Sequence, residues 1–297
     1  MVVTERAYYA PTRLSELVDL LAQQGGKAKL LAGGTDVLVE MREPEHRPES
    51  IVALYKVPEL KGISLQDNNI TIGAMATFSE IAASPLIRDK AFVLAQAANS
   101  VGSPQIRNRG TVGGNIVNAS PAADTVPALM ALDAKVRLVS AAGTRELLLE
   151  DFFLGIGKTK LAPGEVLQEI TFPALDGLTG SAFGKLGRRN ALAISRVSVA
   201  VVLGYAEDKE LVIDCRVAVG AVAPNPFRVR SAEQAWMSCS LTADNRDRCV
   251  NGALEEISRT LGQRASAVYK KQAGPALIRA TLDEAAGQVC RGWEKAI

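Results

Sequence analysis

The sequence predicts an α+β protein in two parts, and three observations carry that expectation. Segments with helical and with strand periodicity are both present in the first half of the chain. Proline, glycine and polar residues then cluster around residues 173–180, in FPALDGLTG, a composition suited to a domain boundary. Beyond it the pattern simplifies to strands followed by helices, which predicts a small antiparallel sheet with helices on one side. With 297 residues, 47% hydrophobic and 22% charged, the chain fits a soluble globular protein of about two domains. It is long enough to bury a core without covalent or metal staples.

Residues 12–24 predict an amphipathic helix, with Thr12 as its N-cap, Leu14, Leu17, Val18 and Leu21 in one stripe, and Gly25-Gly26 as its end. KAKLLAGGTDVLVEMR follows as a short apolar strand, two glycines and a second apolar segment. Strands are expected at Ser50 to Leu54 and at residues 70–74, with a short helical turn at Pro58 to Lys61 between them. Thr77 and Glu80 form a T-x-x-E capping box, in which hydroxyl and carboxylate each satisfy an N–H that a helix start leaves open. Ser84 and Pro85 suit the N-cap and first position of a longer helix reaching Ala98. A glycine-rich stretch comes next, and AKVRLVS at 134–140 then alternates as a half-buried strand.

Past the boundary, 197–205 and 211–221 are expected strands joined by a polar turn around Glu207 to Lys209. In the second, Leu211, Ile213, Cys215, Val217, Val219 and Ala221 mark the buried face. Helices are expected near 228–237, 243–261 and 275–290, the last with Ile278, Leu282, Ala285 and Val289 on one face.

Several function classes fall away on composition. Lys plus Arg number 34 against 32 Asp plus Glu, and a net charge of +2 leaves no footprint for nucleic acid or an anionic membrane. MVVTERAYYAPTRLSE has no basic region followed by an apolar core and cleavage site. No run reaches the roughly 18 apolar residues of a membrane span. The expectation is a cytoplasmic protein. Cys215, Cys239, Cys249 and Cys290 are scattered without a C-x-x-C pair, so reduced and mostly buried thiols are expected, not a zinc or iron–sulfur site. The one histidine, His46, lies in the polar loop REPEHRPES and is not expected to act in catalysis.

Chemistry is expected in two glycine-bearing loops. One is Ala32-Gly33-Gly34-Thr35-Asp36; the other is GTVGGNIVNASPAAD, Gly110 to Asp124. Glycine lets a ligand approach backbone N–H groups closely, and consecutive N–H groups in such turns form a concavity suited to a diphosphate. Thr35, Thr111 and Ser120 add hydroxyls, Asn115 and Asn118 add amides, and Asp124 can accept from a ribose or amino group. Neither loop carries the G-K-[ST] of a phosphate-binding P-loop or fits G-x-G-x-x-G. A single G-G would signify a tight turn and nothing more; two long loops, each beside a strand-like segment, favour a ligand. A third element, FGKLGRRN from Phe183 to Asn190, places Lys185 where a cleft between domains would lie. With no metal cluster, dithiol or histidine base in view, a bound organic cofactor would have to carry the chemistry. Its identity stays open on these grounds alone.

The chain resembles the FAD-binding medium subunits of molybdenum hydroxylases, a group with xanthine dehydrogenase-like, carbon monoxide dehydrogenase-like and 4-hydroxybenzoyl-CoA reductase-like members. KLLAGGTDVLVEMR, ITIGAMATFSEI, GSPQIRNRGTVGGNIVNASPAAD and FGKLGRR carry the resemblance, which covers essentially the whole chain. It implies a vanillyl-alcohol-oxidase/PCMH-type FAD-binding domain at 1–175, in subdomains of about 1–57 and 58–175. A carbon monoxide dehydrogenase flavoprotein-like domain of three antiparallel strands plus helices would occupy 176–297. It also implies that Leu31, Ala32, Gly33, Gly34, Thr35, Asp36 and Val37 wrap the FAD diphosphate, with Thr111, Gly114, Asn115 and Asn118 lining diphosphate and flavin. Asp124 would hold the adenosine end or its ribose, and Leu167 and Lys185 would lie near the isoalloxazine. Ile72, Gly73, Ala74 and Thr77 match a further cofactor-lining segment, and Val101 and Ser120 complete the expected set.

The implied partners are a small subunit with two [2Fe-2S] clusters and a large subunit with the molybdopterin centre, in a dimer of heterotrimers. This chain would pass electrons from those clusters through FAD to NAD+ or another acceptor. Some relatives carry an inserted cysteine-rich loop holding a [4Fe-4S] cluster; no cysteine precedes Cys215, so that insertion is absent. GGTDV looks closer to purine- and hydroxybenzoyl-CoA-type members than to the GGHS of carbon monoxide dehydrogenase types, a lean towards an N-heterocyclic or aromatic substrate. The alternatives are a carbon monoxide dehydrogenase-type medium subunit, a stand-alone flavin oxidase or dehydrogenase of the same fold, and a non-catalytic interaction module that binds no cofactor.

Overall fold

A computed structural model describes residues 7–43, 48–189, 192–237, 239–240, 242–263 and 266–294. His46 and Asn190 lie outside them, as do the first six residues. The chain opens with a three-stranded parallel sheet in the order β1-β3-β2. Strand β1 is Ala7–Tyr9, and helix α1, Leu14–Gln24, buries Leu17, Val18 and Leu21 before ending at a left-handed Gly25 with φ 56°. Arg13, not Thr12, is the N-cap of α1. Thr12 instead turns to Glu16, its N–H donating to Oε2 at 2.7 Å. Strand β2, Ala28–Leu31, runs into Gly33-Gly34 and a one-turn helix α2, Val37–Glu40. Strand β3, Ser50–Ala53, precedes the expected helical turn at Pro58–Leu60.

The next unit is an antiparallel sheet in the order β4-β5-β10-β6-β7 covered by short helices. A tight turn at Asp67 and Asn68, both at positive φ, joins β4, Ile63–Gln66, to β5, Asn69–Gly73. Helix α3, Phe78–Ala83, starts in the expected capping box, with both reciprocal bonds between Thr77 and Glu80 present. The single helix expected from Ser84 to Ala98 is two: α4, Pro85–Lys90, and α5, Phe92–Ser100, parted at Ala91. The break frees the N–H of Val93, which donates to the buried Ser181 hydroxyl, so a tertiary bond replaces a helical one.

Helix α6, Pro104–Arg107, is followed by α7, Val112–Asn118, and α8, Thr125–Ala131. The glycine-rich stretch from Gly110 to Asp124 therefore holds the helix α7 within it, where a loop was expected. Its glycine at 113 serves packing, because a Cβ there would stand 2.6 Å from the Cβ of Ala74. Strands β6, Lys135–Ser140, β7, Gly143–Leu148, and the small hairpin β8, Phe153–Gly155, with β9, Lys158–Thr159, lead to β10, Val166–Pro173. Ile70, Ile72, Phe78, Leu94, Ile116, Leu129 and Phe172 fill the core between sheet and helices.

Residues 174–178 connect β10 to the final sheet. There β11, Thr179–Leu186, β12, Val197–Tyr205, and β13, Leu211–Gly220, are antiparallel neighbours, with the short β14, Phe227–Arg228, beside β13. Helix α9, Arg230–Trp236, the short β15, Cys239–Ser240, and the long helices α10, Ala243–Leu261, and α11, Ala267–Glu294, follow. Helix α11 starts well before the expected residue 275 and continues through Pro275. Burial of Ile278, Leu282, Ala285 and Val289 against the sheet outweighs the proline's intrinsic penalty.

Helices on one side of this sheet were expected, and α9 to α11 are there. The other side is covered too, by α5 and α8. Ala200, Val202 and Ala218 point into the same core as Ile70, whereas Val199, Val201, Val217 and Val219 meet Trp236 and Ile278. All nine residues of β12 are buried as a result. The expected alternation in β13 fails at its start: Leu211 and Ile213 are exposed and Val212 is buried. A bulge causes this, for Tyr205 pairs with Val212 while Gly204 pairs with Asp214, which leaves Ile213 as the extra residue.

Candidate functional site

A cleft of ≈ 870 Å³ runs through the region where the first two sheets and the last one meet. Its floor is the pair of glycine-bearing segments. A Cβ on Gly33 would stand 1.9 Å from the carbonyl oxygen of Arg109, so the two backbones touch and only glycine fits. A Cβ on Gly114 would lie 3.8 Å from that of Ala32, and Asn118 Nδ2 donates to Asp36 Oδ1 at 3.4 Å. Gly34 adopts φ 78°, a left-handed conformation that lets the chain turn into α2.

The two segments play unequal parts. The N–H groups of Gly33, Gly34, Thr35, Asp36 and Val37 have no acceptor among the described residues. Five successive open donors around a glycine turn and a helix start make an anion-binding concavity. In α7 the corresponding groups are spent: Val112 N–H donates to Ala76 O, Gly113 N–H to Ala74 O, and Gly114 N–H to Thr111 Oγ1 at 3.1 Å. Thr111 is thus a helix cap, and α7 offers a glycine surface with side-chain amides in place of the backbone donors expected of it. Asn115 Oδ1 accepts from Thr125 Oγ1 at 2.7 Å, which orients the amide.

Charged residues around the cleft are matched. Lys29 pairs with Glu40, and Glu165 is held by Arg145, whose guanidinium pulls its carboxyl below the ordinary range. Lys185 Nζ lies 2.6 Å from Asp124 Oδ2 and donates as well to Ser100 O at 3.0 Å. Ser195 Oγ donates to the other carboxylate oxygen. Burial pushes Asp124 above its ordinary value, against the opposing pull of Lys185 and Ser195. An anion in the cleft would consequently be met by backbone N–H groups and not by a spare cation.

Of the expected residues, Ala32, Gly33, Gly34, Thr35, Asp36, Val37, Ala74, Val101, Thr111, Gly114, Asn115, Asn118, Ser120, Asp124, Leu167 and Lys185 line the cleft. Three do not. Leu31 is half-buried on β2 beneath Gly34, and Ile72 is wholly buried in the core, because strand alternation turns its side chain away. Thr77 lines an adjoining pocket of ≈ 200 Å³ that shares Ala32, Gly33 and Thr111 with the cleft. Asp124 and Lys185, expected at the adenosine end and near the isoalloxazine respectively, form one ion pair.

Sequence reasoning missed Leu192 and Ile194 and the wall formed by Leu161 to Val166, and also Ser195, which stays outside the lining and reaches the cleft only through Asp124. Nothing local marks a serine or a leucine as a cleft residue. Gly164, at φ 84° beside Pro163, was the available signal for the wall. Phe78 is the aromatic side chain lining the cleft; Tyr205 and Trp236 are core residues of the last sheet, and Tyr8 and Tyr55 lie on the surface.

A glycine-floored cleft of this volume, lined by a run of open N–H donors and, among the described residues, by no unpaired lysine or arginine, defines a binding site for a ligand that carries an anionic group. Comparison with known proteins specifies the class. The family described as the FAD binding domain in molybdopterin dehydrogenase matches residues 3–175, and the carbon monoxide dehydrogenase flavoprotein C-terminal domain matches residues 181–285. The nicotinate dehydrogenase FAD-subunit of Eubacterium barkeri is 34% identical over 89% of this chain and 90% of its own. The xanthine dehydrogenase FAD-binding subunit of Escherichia coli O157:H7 is 31% identical over 94% and 95%. Among solved structures, carbon monoxide dehydrogenase from Hydrogenophaga pseudoflava, in a form lacking the Mo-pyranopterin moiety, superposes with a TM-score of 0.89. It is 32% identical and covers 97% of this chain and 99% of that one.

The chain belongs to the family of FAD-binding subunits of molybdopterin dehydrogenases, the oxidoreductases related to xanthine dehydrogenase. It carries their FAD-binding domain, and the residues present suit that cofactor, because the run of open N–H donors from Gly33 to Val37 lines the cleft beside the glycine surface of α7. Among the described residues no helix is long and apolar enough to cross a membrane, and no cluster of His, Cys, Asp or Glu could hold a metal ion.

Proposed function

We propose that the chain is the electron outlet of a multi-subunit molybdenum hydroxylase. Substrate is hydroxylated on a large molybdopterin subunit. Electrons pass through the two [2Fe-2S] clusters of a small subunit to FAD held here, and leave to NAD+ or another acceptor. The observation that carries this reading is the run of open N–H groups from Gly33 to Val37, set against the glycine surface of α7. These donors would hold the diphosphate, with Asn115 and Asn118 beside it and the Lys185–Asp124 pair closing one end of the cleft. Bound FAD supplies a carrier that takes up and releases two electrons; the chain's own residues bind it, orient it and limit its contact with water.

Three features support the lean towards an N-heterocyclic substrate: the GGTDV sequence, and the nicotinate and xanthine dehydrogenases among the relatives. A domain division at 175, a cytoplasmic location and a dimer of heterotrimers belong to the same proposal. The purified chain should bind one FAD with flavin absorbance, and Gly114→Asp should abolish binding. Its Cβ would crowd the Thr111 hydroxyl, 2.9 Å away, and its charge would oppose the diphosphate. Unchanged FAD affinity in that variant would remove the basis of the proposal, and co-purification of iron–sulfur and molybdenum chains would test the rest.

A further inference from the structure

Asp124 is clamped from both ends of one chain segment. It is the N-cap residue of α8, and the two groups that hold its carboxylate come from the last sheet: Lys185 from β11 and Ser195 from the residues just before β12. Between them the chain leaves the sheet and returns, and the N–H of Arg196 donates to Leu186 O at 2.7 Å to close the base. Arg189 fixes the crown, donating from Nε and Nη2 to the carbonyl of Leu192, which adopts φ 54°. Leu192 and Ile194 so held line the cleft, and Ile194 is 81% exposed. The aspartate is buried, so each of its oxygens needs a donor inside the protein. Lysine satisfies one and serine the other.

We propose that Ser195 is a positioning residue of the cofactor cleft: its hydroxyl fixes the Asp124 carboxylate in line with Lys185 and thereby sets where Leu192 and Ile194 stand over the bound cofactor. The inference rests on the FAD reading above and goes beyond it, because neither the sequence pattern nor the family resemblance singled out this serine. Lys185 is the charged group facing Asp124. The neighbouring α5 contributes only the Ser100 carbonyl, which is bonded to the lysine. Loss of the serine hydroxyl removes a donor to the ionised carboxylate and leaves burial less opposed.

The test is FAD affinity by fluorescence titration of the full chain between pH 5 and 9, in wild type, Ser195→Ala, Ser195→Thr, Asp124→Asn and the Ser195→Ala/Asp124→Asn double variant. Ser195→Ala should weaken FAD about tenfold and move the acid limb of binding to higher pH, since the carboxylate then holds its proton longer. Ser195→Thr should restore both. In the Asp124→Asn background, Ser195→Ala should change affinity less than about twofold, the signature of a residue acting through its neighbour. Wild-type affinity and pH profile in Ser195→Ala, failure of the threonine to rescue, or fully additive effects in the double variant would each overturn this role while leaving the FAD assignment standing. A wild-type chain that binds no FAD would overturn both.

Discussion

Replacing Gly33 by alanine tests the contact on which the cleft depends. The added Cβ would stand 1.9 Å from the Arg109 carbonyl oxygen and 2.7 Å from its carbon, whereas real Cβ atoms essentially never approach within 3.0 Å. The obstacle is backbone on both sides, so no rotamer change relieves it. The two segments must part by at least about 1.1 Å, the gap between that limit and the oxygen distance. Forcing such a separation in a packed interior costs about 1–3 kcal/mol. It also carries the open N–H groups of residues 33–37 away from α7. Loss of one charge-assisted hydrogen bond to an anion is worth about 1.5–3 kcal/mol, or roughly 10- to 150-fold in affinity. Titration of the apo chain with FAD, paired with its melting curve, should show both a lower melting temperature and at least a tenfold weaker dissociation constant. Gly34→Ala meets only side-chain atoms, of Leu38 at 3.0 Å and Leu31 at 3.4 Å, and should cost mainly the left-handed backbone penalty of about 1–2 kcal/mol. FAD affinity within threefold of wild type in Gly33→Ala, with an unchanged melting temperature, would refute the claim that the touching backbones shape the site.

Arg228, at 5% side-chain exposure, joins Asp133 of the α8 end to Glu233 of α9. Arg228→Leu leaves Asp133 with Arg216 and Glu233 with Arg230 and the Val217 N–H, so it should cost about 1–3 kcal/mol in chemical denaturation; a loss below about 0.5 kcal/mol would contradict that account. Asp124 is raised above its ordinary 3.8, so its contribution to stability is present below that pH and is lost as pH rises through the folded-state value. The melting temperature of wild type relative to Asp124→Asn should therefore fall with rising pH from about 3.8 upward and then level off. Glu165, lowered from 4.5 by Arg145, has the opposite sign: wild type should lose ground to Glu165→Gln as pH falls below that value. The two pH series thus check one another. Gly287 lies in the interior of α11 with open space where a Cβ would be, so Gly287→Ala should stabilise by up to about 1 kcal/mol, a rise of roughly 2–4 °C in melting temperature.

What the sequence disclosed was mostly local. The Thr77–Glu80 box, the Gly25 stop, the turn at Pro58 and the strands at 50–53, 135–140 and 197–205 are written in short-range chemistry, and the fold keeps them. Failures occur where distant packing decides. The break at Ala91 exists because Ser181, far along the chain, accepts the freed N–H, and the β13 phase slips because of a bulge that no residue type announces. Pro275 lies within a helix because the apolar face beyond it is held by a sheet. In the site, glycine content located both segments correctly but misjudged one: flexibility and close packing look alike in sequence, and Gly113 is there for the second. Ser195 was invisible, because a serine gains meaning only from the buried carboxylate it meets.

The sheet carrying β12 has helices from opposite ends of the chain on its two faces, and each face feeds a different core. Neither family segment can close its own interior, since severing the chain near residue 175 would bare Leu94 and Leu129 on one fragment and Ala200 and Val202 on the other. The protein should accordingly unfold in a single step, and a ligand lodged among the first helices should delay exposure of Trp236 and of α11 as much as of its own surroundings. Tryptophan emission followed through unfolding, to which Trp236 and Trp293 both contribute, thus becomes a reporter of cofactor occupancy, with no label added.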